Sequence, residues 1–245
     1  MLIIFGPAGS GKTLLVKEFG DWLSENYKVG RINLDPGAEW LGYKANFDLR
    51  NFFTVKEIMK EKNLGPNGAM IEAMRMMNEN IDKVMSGIDE VVGDYILLDT
   101  PGQNEIWLFQ ELDRKIVKRL EKGIGIFLMD AELCKEPKNL LLNLLFSLMI
   151  KLRFGMPTIN IFNKIDLLNE NEIVQLKKNF ENPIELVEQV KGKSSGMIVD
   201  VISNLSTVIG LRAERFIPIS CLKKENFQLL QDIIYEVHCV CGDLT

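Results

Sequence analysis

"MLIIFGPAGSGKT", residues 1–13, carries five near-continuous apolar residues into a glycine-rich turn and then into a lysine–threonine pair. The pattern G-x-x-x-x-G-K-[ST] is met at every required position from Gly6 to Thr13. Five apolar residues bounded by glycine have the length of a buried strand, and the segment that follows, 12–26, has helical spacing. Glycines between a strand and a helix let the backbone wrap tightly, so that several N–H groups point at a phosphate and the helix N-terminus adds a favourable field. The context makes a chance glycine-rich turn a poor explanation. Gly9, Ser10, Gly11, Lys12, Thr13 and Leu14 are therefore candidate nucleotide-binding residues. Lys12 is placed to neutralise the β- and γ-phosphates, and the Thr13 hydroxyl to bind Mg²⁺.

The same alternation continues down the chain. "VGRINLD" (29–35), "DYILLD" (94–99), "GIGIFLMD" (123–130), "PTINIFN" (157–163) and "RFIPIS" (215–220) all have the near-continuous hydrophobicity of strands covered on both faces. Helical spacing fills 105–122, 136–154 and 223–241. Alternating strands and helices imply an α/β fold: a doubly wound, mostly parallel sheet flanked by helices. With the G-x-x-x-x-G-K-T motif of residues 6–13, the chain resembles the P-loop NTPases (SIMIBI-like). Two stretches, about 36–92 and 167–214, exceed what a crossover needs. Both are mostly helical in pattern and read as insertions within one domain spanning 1–245. Within the first, Met70, Met74, Met77, Ile81 and Val84 share one helical stripe. Such a stripe is usually core, although methionine-rich faces also serve adaptable interfaces.

Composition narrows the function. The chain has 245 residues, 47% hydrophobic and 26% charged, with a net charge of −5. An acidic balance argues against a general nucleic-acid-binding surface. The apolar start is too short for a signal peptide, and "LLLNLLFSLMIKL" (140–152) too short to span a bilayer, so the expected address is the cytoplasm, with no membrane partner. Four cysteines fit a reducing compartment; Cys239 and Cys241 beside the single histidine, His238, make an incomplete metal set.

Three further stretches carry chemistry. In "DYILLDTPGQNE" (94–105), Asp99 ends a strand at the sheet edge where ligands gather. A carboxylate there can hold the magnesium through water, while Gly102 can offer its N–H to a γ-phosphate and Gln103 can orient water. In "INIFNKIDLL" (159–168), Asn163-Lys164-x-Asp166 follows a strand. The Asp166 carboxylate presents two acceptors to guanine N1–H and the N2 amino group. Adenine has no such donor pair and would leave the carboxylate unpaired. Lys164 can lay its stem across the base, and Asn163 can tether neighbouring loops. Finally, "PISCLKK" (218–224) ends a strand with Ser220, Cys221 and Leu222, similar to the S-A-x segment whose backbone touches the guanine oxygen, with cysteine in place of alanine.

Together "GPAGSGKT", "NLDPG" (33–37), "GPN" (65–67), "DTPGQNE" (99–105) and "NKID" resemble the GPN-loop GTPases, a family named for the segment found here as Gly65-Pro66-Asn67. The likeness is greatest to the compact archaeal members. Gly37 and Asn104 depart from the family's more common alanine and aliphatic residue. The resemblance implies hydrolysis of GTP to GDP and phosphate by a homodimeric, Mg²⁺-dependent switch. It also implies that the GPN loop lies by the phosphates, reaching across the dimer. Asn67 then offers its amide to the γ-phosphate, the released phosphate or the metal's water shell, in its own subunit or the other. Asp35 is a candidate water-orienting carboxylate or outer magnesium ligand, assisted by Gln103 and Glu105, with an ordinary turn residue as its plainer reading. Arg31, Arg50 and Arg75 offer no obvious arginine finger. Two other functions stand beside this one: a GTP-binding assembly scaffold with negligible turnover, and a P-loop small-molecule kinase, which leaves NKID unexplained.

Overall fold

The computed structural model describes residues 1–102, 108, 114–192 and 215–242. In chain order, the described elements begin with β1 (Leu2–Phe5), α1 (Lys12–Leu23), β2 (Val29–Asn33) and a two-residue β3 (Phe47–Asp48). The first long insertion supplies α2 (Val55–Lys62), α3 (Pro66–Glu79) and α4 (Ile81–Asp89). There follow β4 (Tyr95–Asp99), α5 (Arg114–Leu120), β5 (Ile124–Asp130), a single turn α6 (Ala131–Cys134), α7 (Pro137–Phe154) and β6 (Thr158–Asn163). Helices α8 (Glu170–Glu181), α9 (Pro183–Gly192) and α10 (Phe227–Gly242) complete the described set.

The six strands form one sheet in the order β3-β2-β4-β1-β5-β6, and every pair is parallel. Alternate side chains of β1 enter opposite layers, as the period of two requires. Ile3 and Phe5 pack with Leu98, Phe127 and the helices α3, α4 and α7. Leu2 and Ile4 pack with Leu15 and Phe19 of α1 and with Phe227 and Leu230 of α10. A strand covered on both sides cannot be amphipathic, which is why LIIF is apolar throughout and wholly buried.

Two expectations change in detail, and one strand was not foreseen. The strand at 215–220 is reduced to a single parallel bridge, Phe162 to Pro218, beside β6. Ser220 then pairs back onto Glu225, and positive φ angles at Lys224 and Asn226 turn the chain away from the sheet. The methionine stripe is divided between two helices at Asn80, whose backbone leaves helical geometry. Met70, Met74, Met77, Ile81 and Val84 are all buried in the core, so the stripe is packing and presents no interface. The edge strand β3 went unforeseen, because two residues carry no period. Helix α7 contains the apolar run 140–152, and no helix among the described residues is long and apolar enough to cross a membrane.

Register brings the strand ends to one edge. Asn33 pairs with Asp99 and with Asp48, Phe5 with Phe127, and Asp130 with Asn163. The described residues expected to carry chemistry just after β1, β2, β4 and β6 therefore emerge along the same rim.

Candidate functional site

The phosphate loop is built as its glycines demand. Gly6, Gly9 and Gly11 have φ of 149°, 78° and 98°, a region that side chains strain to adopt. A Cβ at Gly6 would collide with the Leu128 carbonyl, and one at Gly11 would come within 2.5 Å of Asn163 Nδ2. Gly11 caps α1 without a side-chain bond, so no cap side chain competes for the first N–H groups of the helix. Lys12 is buried, and its ammonium donates to the Gly6 and Pro7 carbonyls at 2.6 and 3.1 Å. It is thus folded back over the loop at the mouth of the cradle.

Asp99 lies fully buried at the end of β4. Burial above all, with the neighbouring charge of Asp35, raises its carboxyl to about 7. Lys12 and the Thr13 and Tyr43 hydroxyls pull the other way. Tyr43 donates to Oδ2 at 3.3 Å, while Oδ1 has no hydrogen-bond partner. A buried, unpartnered carboxylate oxygen close to a threonine hydroxyl is a donor set suited to a hard divalent cation. Among the described residues there is no group of three or more acids, cysteines or histidines that could hold a metal. A site with one or two protein carboxylates, completed by substrate phosphates, is the usual arrangement for Mg²⁺.

Asp35 is held in the loop after β2. Its Oδ1 accepts from Gly37 N–H at 2.8 Å and its Oδ2 from Gly102 N–H at 3.3 Å. Burial is the largest influence and raises its pKa. The Gly102 N–H, expected to face a γ-phosphate, is thus engaged by Asp35. The loop is braced from below: Asn33 Nδ2 donates to Asp48 at 2.8 Å and to the Asp35 carbonyl at 3.2 Å, and Arg50 pairs with Asp48 while reaching the Ala38 carbonyl at 2.9 Å. Arg50 is occupied as structure, as are Arg31 on Asp21 and Arg75 on Glu72 and Glu79. Gln103 and Glu105 lie outside the described residues.

The base-side residues converge through Asn163. Its Nδ2 donates to the Ser10 carbonyl at 2.9 Å, and its Oδ1 accepts from Cys221 N–H at 3.0 Å. One buried amide thereby ties the phosphate loop to the Ser220–Leu222 turn. This leaves the Cys221 N–H committed within the protein. Lys164 has φ of 66° and its ammonium pairs with Asp130, which itself caps α6. The Ser220 hydroxyl accepts from Lys223 N–H at 3.1 Å, and the Leu222 side chain is exposed. Asp166 is the middle residue of the short helical turn Ile165–Leu167 after β6, and its charge acts on the Cys221 thiol, which burial in the first place pushes up.

Gly65, Pro66 and Asn67 are exposed, with Gly65 capping α3 and Pro66 in its first turn. A Cβ at Gly65 would meet nothing within 4 Å. One turn further along α3, Met70 packs over Gly37, so the helix leans on the Asp35 loop.

Across its full length the chain is 39% identical to a GPN-loop GTPase of Pyrococcus abyssi, itself covered completely. This chain belongs to the GPN-loop GTPase family. The GPN-loop GTPases 3 of Dictyostelium discoideum and Danio rerio are 29% and 28% identical to it, covering 93% and 96% of the chain and 83% and 86% of their own lengths. A crystal structure described as a GTPase in apo form from Pyrococcus abyssi superposes with a TM-score of 0.87, at 36% identity over 98% of both chains. A family model described as a conserved hypothetical ATP-binding protein matches residues 4–240. In this GPN-loop GTPase the NKID segment follows directly from β6, with Asn163 as the last residue of the strand. Sequence reasoning passed over Tyr43, Asn33, Asp48 and Asp130. Asp130 ends a strand at the site's rim and was open to the same argument as Asp99; Asp48 ends β3, which is too short to carry a period, and Tyr43 lies in an irregular loop with no such signal.

Proposed function

We propose that this chain is a Mg²⁺-dependent GTPase hydrolysing GTP to GDP and phosphate, and that it works as a homodimeric switch. The observation that carries the reading is Asn163, whose amide joins the phosphate cradle at Ser10 to the turn at Cys221 beside NKID. Phosphate and guanine elements are thereby built as one site. Lys12 exchanges its carbonyl partners for phosphate oxygens, and the N–H groups of Gly9 to Leu14 hold the remaining oxygens. Asp166 accepts from guanine N1–H and N2, Lys164 covers the base, and the 220–222 turn closes over the guanine oxygen. Thr13 and Asp99 hold the magnesium, which supplies neutralisation of phosphate charge. Asp35 orients the attacking water, aided by Gln103 and Glu105; the water oxygen bonds to the γ-phosphorus as the bond to the β-phosphate oxygen breaks. Exposure of the GPN loop on its own subunit supports its service to a partner's phosphates, with Asn67 donating to phosphate oxygen.

The test is single-turnover hydrolysis of labelled GTP and ATP, with and without EDTA, alongside the molar mass in solution. Turnover of GTP that requires Mg²⁺, with little of ATP, is expected of a dimer. Equal use of both nucleotides would overturn the base assignment. Binding without turnover would favour a scaffold, and a monomeric mass with full activity would remove the dimer.

A further inference from the structure

Tyr43 has no place in the scheme above, yet it contacts the carboxylate on which the metal site depends. It lies in the irregular loop between β2 and β3, with its hydroxyl 3.3 Å from Asp99 Oδ2. The ring is itself held. Arg31 of β2 lies with its guanidinium carbon 6.0 Å from the ring centroid and pairs with Asp21 of α1 at 2.6 Å. That guanidinium fits because α1 has glycine at the crossing: a Cβ on Gly20 would stand 2.6 Å from Arg31 Nε. Arg31 Nε is buried without a hydrogen-bond partner, so the arginine is held there at some cost in unsatisfied polarity. A chain of contacts, Asp21 to Arg31 to Tyr43 to Asp99, thus runs from the helix bearing the phosphate loop to the strand bearing the carboxylate.

We infer that Tyr43 is a positioning residue for the metal site, fixing the Asp99 carboxylate through Oδ2 so that the unpartnered Oδ1 is presented to Mg²⁺ or its water. Partners that orient a metal-ligating carboxylate are worth about 10- to 100-fold in metal affinity. The longer, single hydrogen bond here places Tyr43 at the lower end of that range. The inference rests on reading Asp99 as a metal-holding residue, and the experiment separates the two.

The probe is Mn²⁺, followed by electron paramagnetic resonance at pH 8 on GDP-loaded protein. Wild type, Tyr43→Phe and Asp99→Asn are compared, with GDP affinity in EDTA and thermal unfolding measured in parallel. Tyr43→Phe keeps the ring under Arg31 and removes only the hydroxyl. It is expected to weaken Mn²⁺ binding by about tenfold, leaving GDP affinity in EDTA within about twofold. A merely structural role would move nucleotide affinity or melting temperature and spare the metal. Unchanged or tighter Mn²⁺ binding by Tyr43→Phe, while Asp99→Asn weakens it, would overturn the role of Tyr43 alone. Unchanged binding by both variants would overturn the assignment of Asp99 and Tyr43's role with it.

Discussion

Asp99 makes the folded protein sensitive to pH in a way that a single substitution exposes. Burial raises its carboxyl from 3.8 to about 7. A shift of one unit corresponds to about 1.36 kcal/mol, so keeping this group ionised in the native state costs about 4 kcal/mol above pH 7. The native state keeps its proton between those two values while the unfolded chain has lost it. Stability attributable to Asp99 is therefore fully present below pH 4, falls as pH rises from about 4 to 7, and is gone above 7. Asp99→Asn removes the titration. Any constant cost of the amide beside Tyr43 and Thr13 is the same at all pH values. The increment is not: relative to wild type, the variant should gain about 4 kcal/mol between pH 4 and pH 8. Urea unfolding in EDTA, followed by circular dichroism at intervals across that range, reads the difference directly. With a slope of about 2–3 kcal/mol per molar, the midpoint difference should grow by about 1.5 M. A difference that stays flat with pH would show that the carboxylate is not desolvated in the nucleotide-free fold. Mg²⁺ with GDP should reverse the ranking, because only wild type gains metal-linked stabilisation.

Asn163→Ala should destabilise the fold by about 2–3 kcal/mol and weaken GDP binding, since it leaves a buried carbonyl at Ser10 and a buried N–H at Cys221 unpaired; unfolding midpoints and nucleotide titration measure both, and a loss below about 0.5 kcal/mol would refute the tether. Asp166→Asn should lower the preference for guanine over xanthine nucleotides by a factor on the order of 10⁴, read by competition binding, with an unchanged preference counting against the base assignment. Mixing inactive Lys12→Ala and Asn67→Ala chains should restore hydrolysis if Asn67 serves the partner's phosphate, because mixed dimers then contain one site with both residues intact. No recovery, although heterodimers form by native mass spectrometry, would place Asn67 in its own subunit's site.

The course of the chain through the sheet was legible because its cause is local. A strand covered on both faces must be largely apolar: LIIF is so throughout, YILLD up to its terminal Asp99, and TINIFN apart from Thr158 and two asparagines, of which Asn160 accepts from the Ser147 hydroxyl. The phosphate loop was legible for a similar reason, since positive φ at Gly6, Gly9 and Gly11 admits little but glycine. Where signals were weak, the reading faltered. The segment 215–220 is as apolar as a strand, yet it makes one bridge, because the turn back to Glu225 and the positive φ at Lys224 and Asn226 draw it off the edge. The stripe from Met70 to Val84 has one helical period but two helices, broken at Asn80.

From residues alone came the kind of site: phosphate held by backbone N–H groups, a strand-end carboxylate, and an acid that suits guanine. Each depends on a few neighbours in the chain, whose geometry local sterics and hydrogen bonding dictate. Only the tertiary structure decided what those groups do to one another. Asp99 becomes a poor acid to ionise because β4 is buried between β1 and β2. Gly102, 67 residues from Asp35, gives it an N–H. Tyr43 reaches Asp99 across 56 residues, and Asn163 reaches Ser10 across 153. Desolvation and such long-range pairings depend on the whole packed sheet, and no local stretch of the chain encodes them.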